Sequence, residues 1–383
     1  MNAGKRGSYD VAVVGAGPMG SFLSTRLARS GLRVVMVEKE GEPGESKACA
    51  GGIHLDAARF AEIPAVAIER ELRSFLLTNG RYRREWLFET PIYLMMEKRR
   101  LDGAMVHRAV EAGARLLLQS RVVEVRPAEQ TLIYEAGPEK SPRQLRAQVF
   151  VFADGANTLA RRLPGMPPES DAGRLRIAAL AWELEAEEKE FSSLELILDP
   201  GLVALGYVWI FPKRDHVNVG LGRLLGMGGP PLPVLLHRFI DENPRLRGRK
   251  ILRKKSGVIP AEVAPCLQKD NWLVIGDAAG MVNPLTGGGY VCGFRSAALA
   301  AEACIEAFRG GGFDARKLTR YPRRLRMTMH YATIVTGTLL VRGIREIHRL
   351  TGKSLYPPIM TLYLHGVHIL MRMGAKPMQP RAG

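Results

Sequence analysis

Apolar residues recur along this chain with two different spacings, and each predicts a different element. In "ALGYVWIFPKRDHVNVGLG", residues 204–222, Tyr207, Trp209 and Phe211 stand two apart. On a β-strand their three rings share one face. Pro212 stops that strand, Lys213-Arg214-Asp215-His216 makes a polar turn, and Val217, Val219 and Leu221 alternate back. The pattern predicts a hairpin carrying an aromatic wall, facing either an ordinary core or a long apolar ligand. Near the start, "DVAVVGAGPMGSFLSTRLARSGLRVVMVEKE" (10–40) has another rhythm. It reads as a buried strand, a tight turn, a helix with Leu23 and Leu27 on its inner face, a stop at Gly31, and a second strand ending at Glu38.

The turn in that unit carries chemistry. Gly15-Ala16-Gly17-Pro18-Met19-Gly20 spells GxGxxG between strand and helix. Glycines there let the backbone turn sharply and approach a pyrophosphate held at the helix N-terminus. Glu38, 18 residues after Gly20, is placed to accept hydrogen bonds from ribose hydroxyls. Two later segments repeat a strand ending in an acid: "FVFADGANTLARR" (150–162), with Asp154, and "NWLVIGDAAGMVNPLTGGGYVCGF" (271–294), with Asp277. An Asp at a strand end can hold the ribityl–pyrophosphate region from the opposite side. A helix begun near Gly288 and Gly289 would aim its positive end at a flavin's pyrimidine oxygens. Together the three segments resemble the FAD-binding pieces of hydroxylase-type, glutathione-reductase-like flavoproteins, in which one domain is assembled from separated stretches of chain.

Composition narrows the field. The 383 residues are 46% hydrophobic with 41 Gly and 24 Pro, as in a globular protein of two or three packed units. Cys49, Cys266, Cys292 and Cys304 form no CxxC pair, and the eight histidines form no HExxH-like motif, so neither a disulfide framework nor a metal site is expected. The first apolar run is too short for a signal peptide, and no stretch reaches the roughly 20 apolar residues of a membrane span. The net charge of +17 is uneven. Residues 311–383 hold 13 Lys or Arg against Asp314 and Glu346, a net +11. A basic tail interleaved with Met, Leu, Ile and Tyr suits an anionic membrane surface better than nucleic acid, for which no motif is present. A cytoplasmic protein peripherally associated with a membrane is the expectation.

The hairpin makes the resemblance specific. Tyr207-Val208-Trp209-Ile210-Phe211-Pro212, followed after seven residues by Gly220-Leu221-Gly222, resembles the YxWxFP and GxG motifs of the geranylgeranyl reductase family. "KACAGGI" (47–53) resembles that family's cysteine–glycine loop, and "GDAAGMVNPLTGGG" (276–289) its GDAAGxxNPxTGxG pattern. The chain departs from the family in having "CAGG", "TGGGY" and Leu101, where a phenylalanine is usual. The resemblance implies an α/β composite: a Rossmann-like FAD domain from three segments (1–75, 99–170 and 263–312), an insertion at 76–98 into a substrate sheet, an antiparallel substrate domain (171–262) and a basic C-terminal helical region (313–383). It implies FAD contacts at Gly15, Gly17, Met19, Gly20, Glu38, Cys49, Ala50, Gly52, Arg99, Val123, Asp277, Gly289 and Tyr290. Arg99 lies in the run Lys98-Arg99-Arg100, one of whose residues precedes the helix of the second FAD segment.

The activity implied is saturation of isolated C=C bonds in a geranylgeranyl or other polyprenyl chain by hydride from reduced FAD. Tyr207, Trp209, Phe211 and Pro212 would line the substrate tunnel, while Trp182 is read as plain core. Cys49 is the candidate proton donor, or a small residue that lets its loop approach the flavin. The basic stretch Arg316–Arg326 and Met360, Met371, Met373 and Met378 would form a docking surface, or else a plain helical cap on the domain. Electrons would come from NADPH or a ferredoxin-type donor. The alternative is an FAD-dependent monooxygenase of a hydrophobic small molecule, because the scaffold is shared.

Overall fold

The computed structural model describes residues 8–44, 49–79, 82–166, 174–310 and 312–374, without the side chains of 367–374. Eight α-helices occur among them: α1 (Pro18–Arg29), α2 (Leu55–Phe60), α3 (Lys98–Glu111), α4 (Leu232–Glu242), α5 (Tyr290–Phe308), α6 (Arg320–Arg326), α7 (Met329–Thr351) and α8 (Tyr356–Gly374). The fold is an α/β composite built on three sheets.

The first sheet has a parallel core in the order Trp272–Val274, Ser141–Phe152, Ser8–Val14, Val34–Val37, Arg115–Leu117. The apolar runs at the ends of its central strands are buried in one core with α1, α3 and α5 and with the antiparallel strands Ser120–Arg126 and Thr131–Ala136. Ser8–Val14, α1 and Val34–Val37 form the expected β–α–β unit. Ser8–Val14 pairs on its other side with Ser141–Phe152, and Trp272–Val274 pairs beyond that. The strand ends at Val14, Phe152 and Val274 thus come side by side, which places Gly15, Asp154 and Asp277 along one edge.

The second sheet has seven strands, in the order Ile251–Pro260, Arg176–Glu185, His216–Leu224, Gly206–Pro212, Leu194–Ile197, Ser74–Thr78, Arg83–Leu87. All neighbours are antiparallel except Leu194–Ile197 with Ser74–Thr78. The excursion expected at 76–98 supplies Ser74–Thr78 and Arg83–Leu87 to this sheet. Tyr93–Met96 goes instead to a small third sheet with Gly52–His54 and Ile68–Leu72.

Alternation gives the large sheet two apolar faces. One buries Trp182, Val208, Ile210, Val219 and Leu221 against α4. The other carries Tyr207, Trp209 and Phe211 into a cluster with Phe75, Trp86, Met95, Leu285, and Val341, Ile344, Tyr356 and Met360 of α7 and α8. The C-terminal helices therefore cover the aromatic face. Of the two expectations for this segment, Met360 follows the helical cap: it is core, not docking surface. Met378 lies outside the described residues, as do the side chains of Met371 and Met373. Part of the basic stretch is also engaged, since Arg320 and Arg324 pair with Glu306, and Arg324 with Glu302. No helix among the described residues is long and apolar enough to cross a membrane.

Candidate functional site

Gly15 sits at φ +95, and a Cβ there would lie 2.7 Å from the Ala153 carbonyl oxygen. The turn therefore admits only glycine and passes directly over the end of the neighbouring strand. Gly17 is the N-cap of α1, with no side-chain cap and no acid in the first turn. Gly289 caps α5 in the same way. Two helix N-termini thus keep backbone N–H groups for an anionic acceptor, and the cradle fits a flavin dinucleotide. Met19 bridges α1 to α5 and to the turn before it: Gly293 of α5 packs against its side chain, and a Cβ on Gly276 would lie 2.9 Å from its Cγ. Gly20 packs against the Gly15 carbonyl.

Glu38 is buried at the end of its strand, where its carboxylate accepts from Ala16 N at 2.8 Å and Glu40 N at 3.1 Å. The Ser120 amide donates to the Glu38 carbonyl at 2.8 Å and so brings the strand Ser120–Arg126 alongside. In that strand's ladder Glu124 faces Ile133 and Val122 faces Tyr134, so the register skips Val123. A bulged residue keeps its backbone groups available. Asp277 lies in the turn Gly276–Ala279, and a Cβ on Gly289 would sit 3.2 Å from its Oδ1. Arg99, by contrast, is an exposed residue of α3 paired with Glu42.

Cys49 and Tyr290 meet from opposite ends of the sequence, with Sγ 3.3 Å from the phenol oxygen. Tyr290 stacks on Phe294, and burial pushes its phenol well above its ordinary pKa, so it stays protonated. Gly51 donates its N–H to Cys49 Sγ at 3.3 Å. Gly52 packs against the Phe211 ring, its Cβ position only 2.9 Å from Cε2. Ala50 joins the same apolar cluster. Tyr207 donates from its hydroxyl to the Thr286 carbonyl, on the loop that opens α5. Trp209 donates Nε1–H to Asn218 Oδ1 at 2.8 Å, and Asn218 Nδ2 reaches the Cys49 carbonyl at 3.5 Å. Pro212 is buried but does not end the ladder, since it pairs with Val217. The aromatic wall and the cysteine loop are one structure.

Residues 8–201 match the family model of an FAD binding domain, and residues 177–259 that of the geranylgeranyl reductase catalytic domain. The chain is 30% identical over 355 residues to digeranylgeranylglycerophospholipid reductase 1 of Methanopyrus kandleri, covering 88% of this chain and 92% of that one. The chain belongs to the geranylgeranyl reductase family. It is an FAD-dependent oxidoreductase. A geranylgeranyl bacteriochlorophyll reductase-like protein of Thermoplasma acidophilum shares the fold, with TM-score 0.76 and 21% identity over 89% of this chain and 91% of that chain. A probable FAD-dependent monooxygenase of Pseudomonas aeruginosa has the same architecture at TM-score 0.67 and 20% identity, over 90% and 99% of the two chains.

Two polar residues of this reductase site escape sequence reasoning. Lys213, read as part of a solvated turn, is buried, and its ammonium donates to the carbonyls of Gly51 at 3.0 Å and Met96 at 2.8 Å. Of the four turn residues only Arg214 and Asp215 are exposed. Asn218 is 1% exposed, and its signal is legible in retrospect as a lone amide within an apolar strand. Lys213 gives no such signal, because the loop that buries it lies about 160 residues earlier in the chain.

Proposed function

We propose that this reductase saturates isolated double bonds in the polyprenyl chain of an isoprenoid lipid, working at an anionic membrane surface with electrons from NADPH or a ferredoxin-type donor. The observation that carries the reading is the shared apolar cluster. Tyr207, Trp209 and Phe211 face Ala50 and Leu285 on the two flavin-side loops, while α7 and α8 close the opposite side. An apolar lining of this kind, beside the loops proposed to hold the flavin, suits a long apolar chain with one segment over the cofactor.

Gly15, Gly17, Met19, Gly20 and Glu38 would hold the dinucleotide half of FAD, with Val123 at the adenine. Cys49, Ala50, Gly52, Asp277, Gly289 and Tyr290 would hold the flavin half. Arg99 would reach the cofactor only by leaving Glu42. Bound and reduced, FAD supplies the hydride. An isolated alkene has no carbonyl to polarise, so the chain's own contribution is to position the double bond, exclude water and deliver a proton. Cys49 holds that proton at Sγ, beside the Tyr290 phenol and the Gly51 N–H.

Physical chemistry supports the membrane. A prenyl unit exposed to water on leaving a bilayer costs roughly 3–4 kcal/mol at about 0.8 kcal/mol per carbon, so the substrate should pass directly from lipid to protein. Exposed apolar residues of α7, Leu339 and Leu350, support this, as do Met327 and Met329 at its start; Arg342 and Arg349 of the same helix pair with Glu262 and Glu346. Its inner face, Val341 and Ile344, belongs to the aromatic cluster.

The test is anaerobic. Dithionite-reduced holoenzyme is offered geranylgeranyl lipids and prenylquinones, and products are read by mass spectrometry. Stepwise gain of hydrogen pairs in the prenyl chain, with flavin reoxidation, is the expected result. Unchanged lipids and a flavin that reoxidises only in air would favour the monooxygenase alternative.

A further inference from the structure

The ammonium of Lys213 is an unusual object. It is 3% exposed, and it forms no ion pair among the described residues. Its two hydrogen-bond acceptors are neutral carbonyls, those of Gly51 and Met96. A buried ammonium is costly to keep charged unless a nearby group gains from it. The backbone is shaped to admit it. Gly51 sits at φ +70, and a Cβ there would lie 2.5 Å from Lys213 Nζ. Gly51 thus contacts both partners at once: its N–H donates to Cys49 Sγ, and its carbonyl accepts from Lys213 and from Met96 N. The hairpin that carries the aromatic wall therefore inserts a positive charge behind the cysteine loop.

We infer that Lys213 is the positioning and electrostatic residue for Cys49: its buried ammonium fixes the Cys49–Gly51 turn and stabilises the negative charge left on sulfur when the thiol gives up its proton. This rests on the reading of Cys49 as proton donor. In that step the alkene π bond opens, the Cys49 S–H bond breaks and a C–H bond forms at one carbon; bound reduced FAD would supply the hydride for the other carbon and be oxidised by two electrons. The thiolate then takes a proton back from water, with the Tyr290 hydroxyl beside it. The charged and titratable groups around Lys213 are Cys49 first, then Glu69, Glu183 and Glu97. Glu183 already pairs with Arg253 and Lys255, and Glu97 with Arg100 and Arg253. That leaves Cys49, the largest of these interactions, and Glu69, whose Oε2 is buried without a hydrogen-bond partner, as the two groups whose charged forms the lysine favours; Cys49 is the one that also shares Gly51 with it.

The experiment compares Lys213→Met and Lys213→Arg holoenzymes with wild type. Alkylation of Cys49 by iodoacetamide is followed against pH by peptide mapping, which separates it from half-buried Cys266. Lys213→Met should retain FAD, while its Cys49 alkylation at neutral pH slows about tenfold. Lys213→Arg should recover part of that loss because it keeps the charge. An unchanged Cys49 profile in FAD-loaded Lys213→Met would overturn the inference. Should Lys213→Met fail to fold, the same comparison is read from Lys213→Arg and Lys213→Gln, with an Arg profile no closer to wild type than the Gln profile as the overturning result. Cys49→Ala separates the two ideas: full turnover in Cys49→Ala together with a shifted profile in Lys213→Met would remove the proton-donor reading and leave the electrostatic link intact.

Discussion

Replacing Trp209 by Phe removes one hydrogen-bond donor and part of one ring, and the structure says what each is worth. Trp209 Nε1 is 2.8 Å from the Oδ1 of Asn218, a side chain 1% exposed. Losing the donor leaves a buried amide oxygen without that partner, at about 1–3 kcal/mol. The missing edge of the indole adds roughly 1–2 kcal/mol in lost burial, since the ring packs directly on Gly220. The expected cost of Trp209→Phe is therefore about 2–5 kcal/mol, against a typical total stability of about 5–15 kcal/mol. Asn218→Leu should carry a similar penalty, because it orphans the indole N–H and releases the Cys49 carbonyl. The double variant removes donor and acceptor together, so its cost should fall short of the sum by about 1–3 kcal/mol. The assay is guanidinium denaturation of the apoprotein followed by far-UV circular dichroism, so that FAD binding does not shift the curves. Single costs that add to within about 0.5 kcal/mol in the double variant would refute the claim that Trp209 and Asn218 act as one buried hydrogen-bonded pair.

Three further outcomes are expected. Gly15→Ala, forced to φ +95 against the Ala153 carbonyl, should cost about 1–3 kcal/mol and yield protein whose flavin absorbance is largely lost; full FAD content would remove the glycine turn from the cofactor site. Burial brings the Lys213 ammonium down to about 8 from 10.5. Below about pH 8 both folded and unfolded chains carry the charge, and the fold bears its full cost. Between about 8 and 10.5 the unfolded chain holds a proton the folded one has released, so stability rises with pH, by up to roughly 3 kcal/mol. The stability difference between wild type and Lys213→Met should therefore move in favour of wild type from pH 7 to pH 10, and a flat difference would contradict the buried charge. Finally, Leu339→Ser with Leu350→Ser should weaken co-sedimentation with anionic vesicles at least about tenfold, at roughly 1.5–3 kcal/mol per fully buried leucine, and salt should weaken the wild type as well. Unchanged vesicle binding by the double variant would exclude α7 as the docking face.

Local sequence determined the elements whose signal is short-range. GxGxxG between an apolar run and a helical period reads as a β–α–β turn wherever it stands, because the glycines answer to backbone sterics within a few residues. The ring spacing at Tyr207, Trp209 and Phe211 likewise commits them to one face of a strand, since the side-chain period of a strand is two. Resemblance to a family then supplied the cofactor and the class of substrate, which spacing alone did not. Tertiary structure decided what those faces touch. Met360 and Lys213 are buried for the same reason: burial belongs to partners far along the chain. Met360 lies in a basic, apolar tail, yet α8 folds back beneath the large sheet and inserts it into the aromatic cluster. Lys213 stands in a stretch of four polar residues, yet a loop at Gly51 and a strand end at Met96 close over it. A short motif encodes its own backbone geometry; the partner that desolvates a side chain is chosen only when distant segments pack, and on that choice the charge beside Cys49 depends.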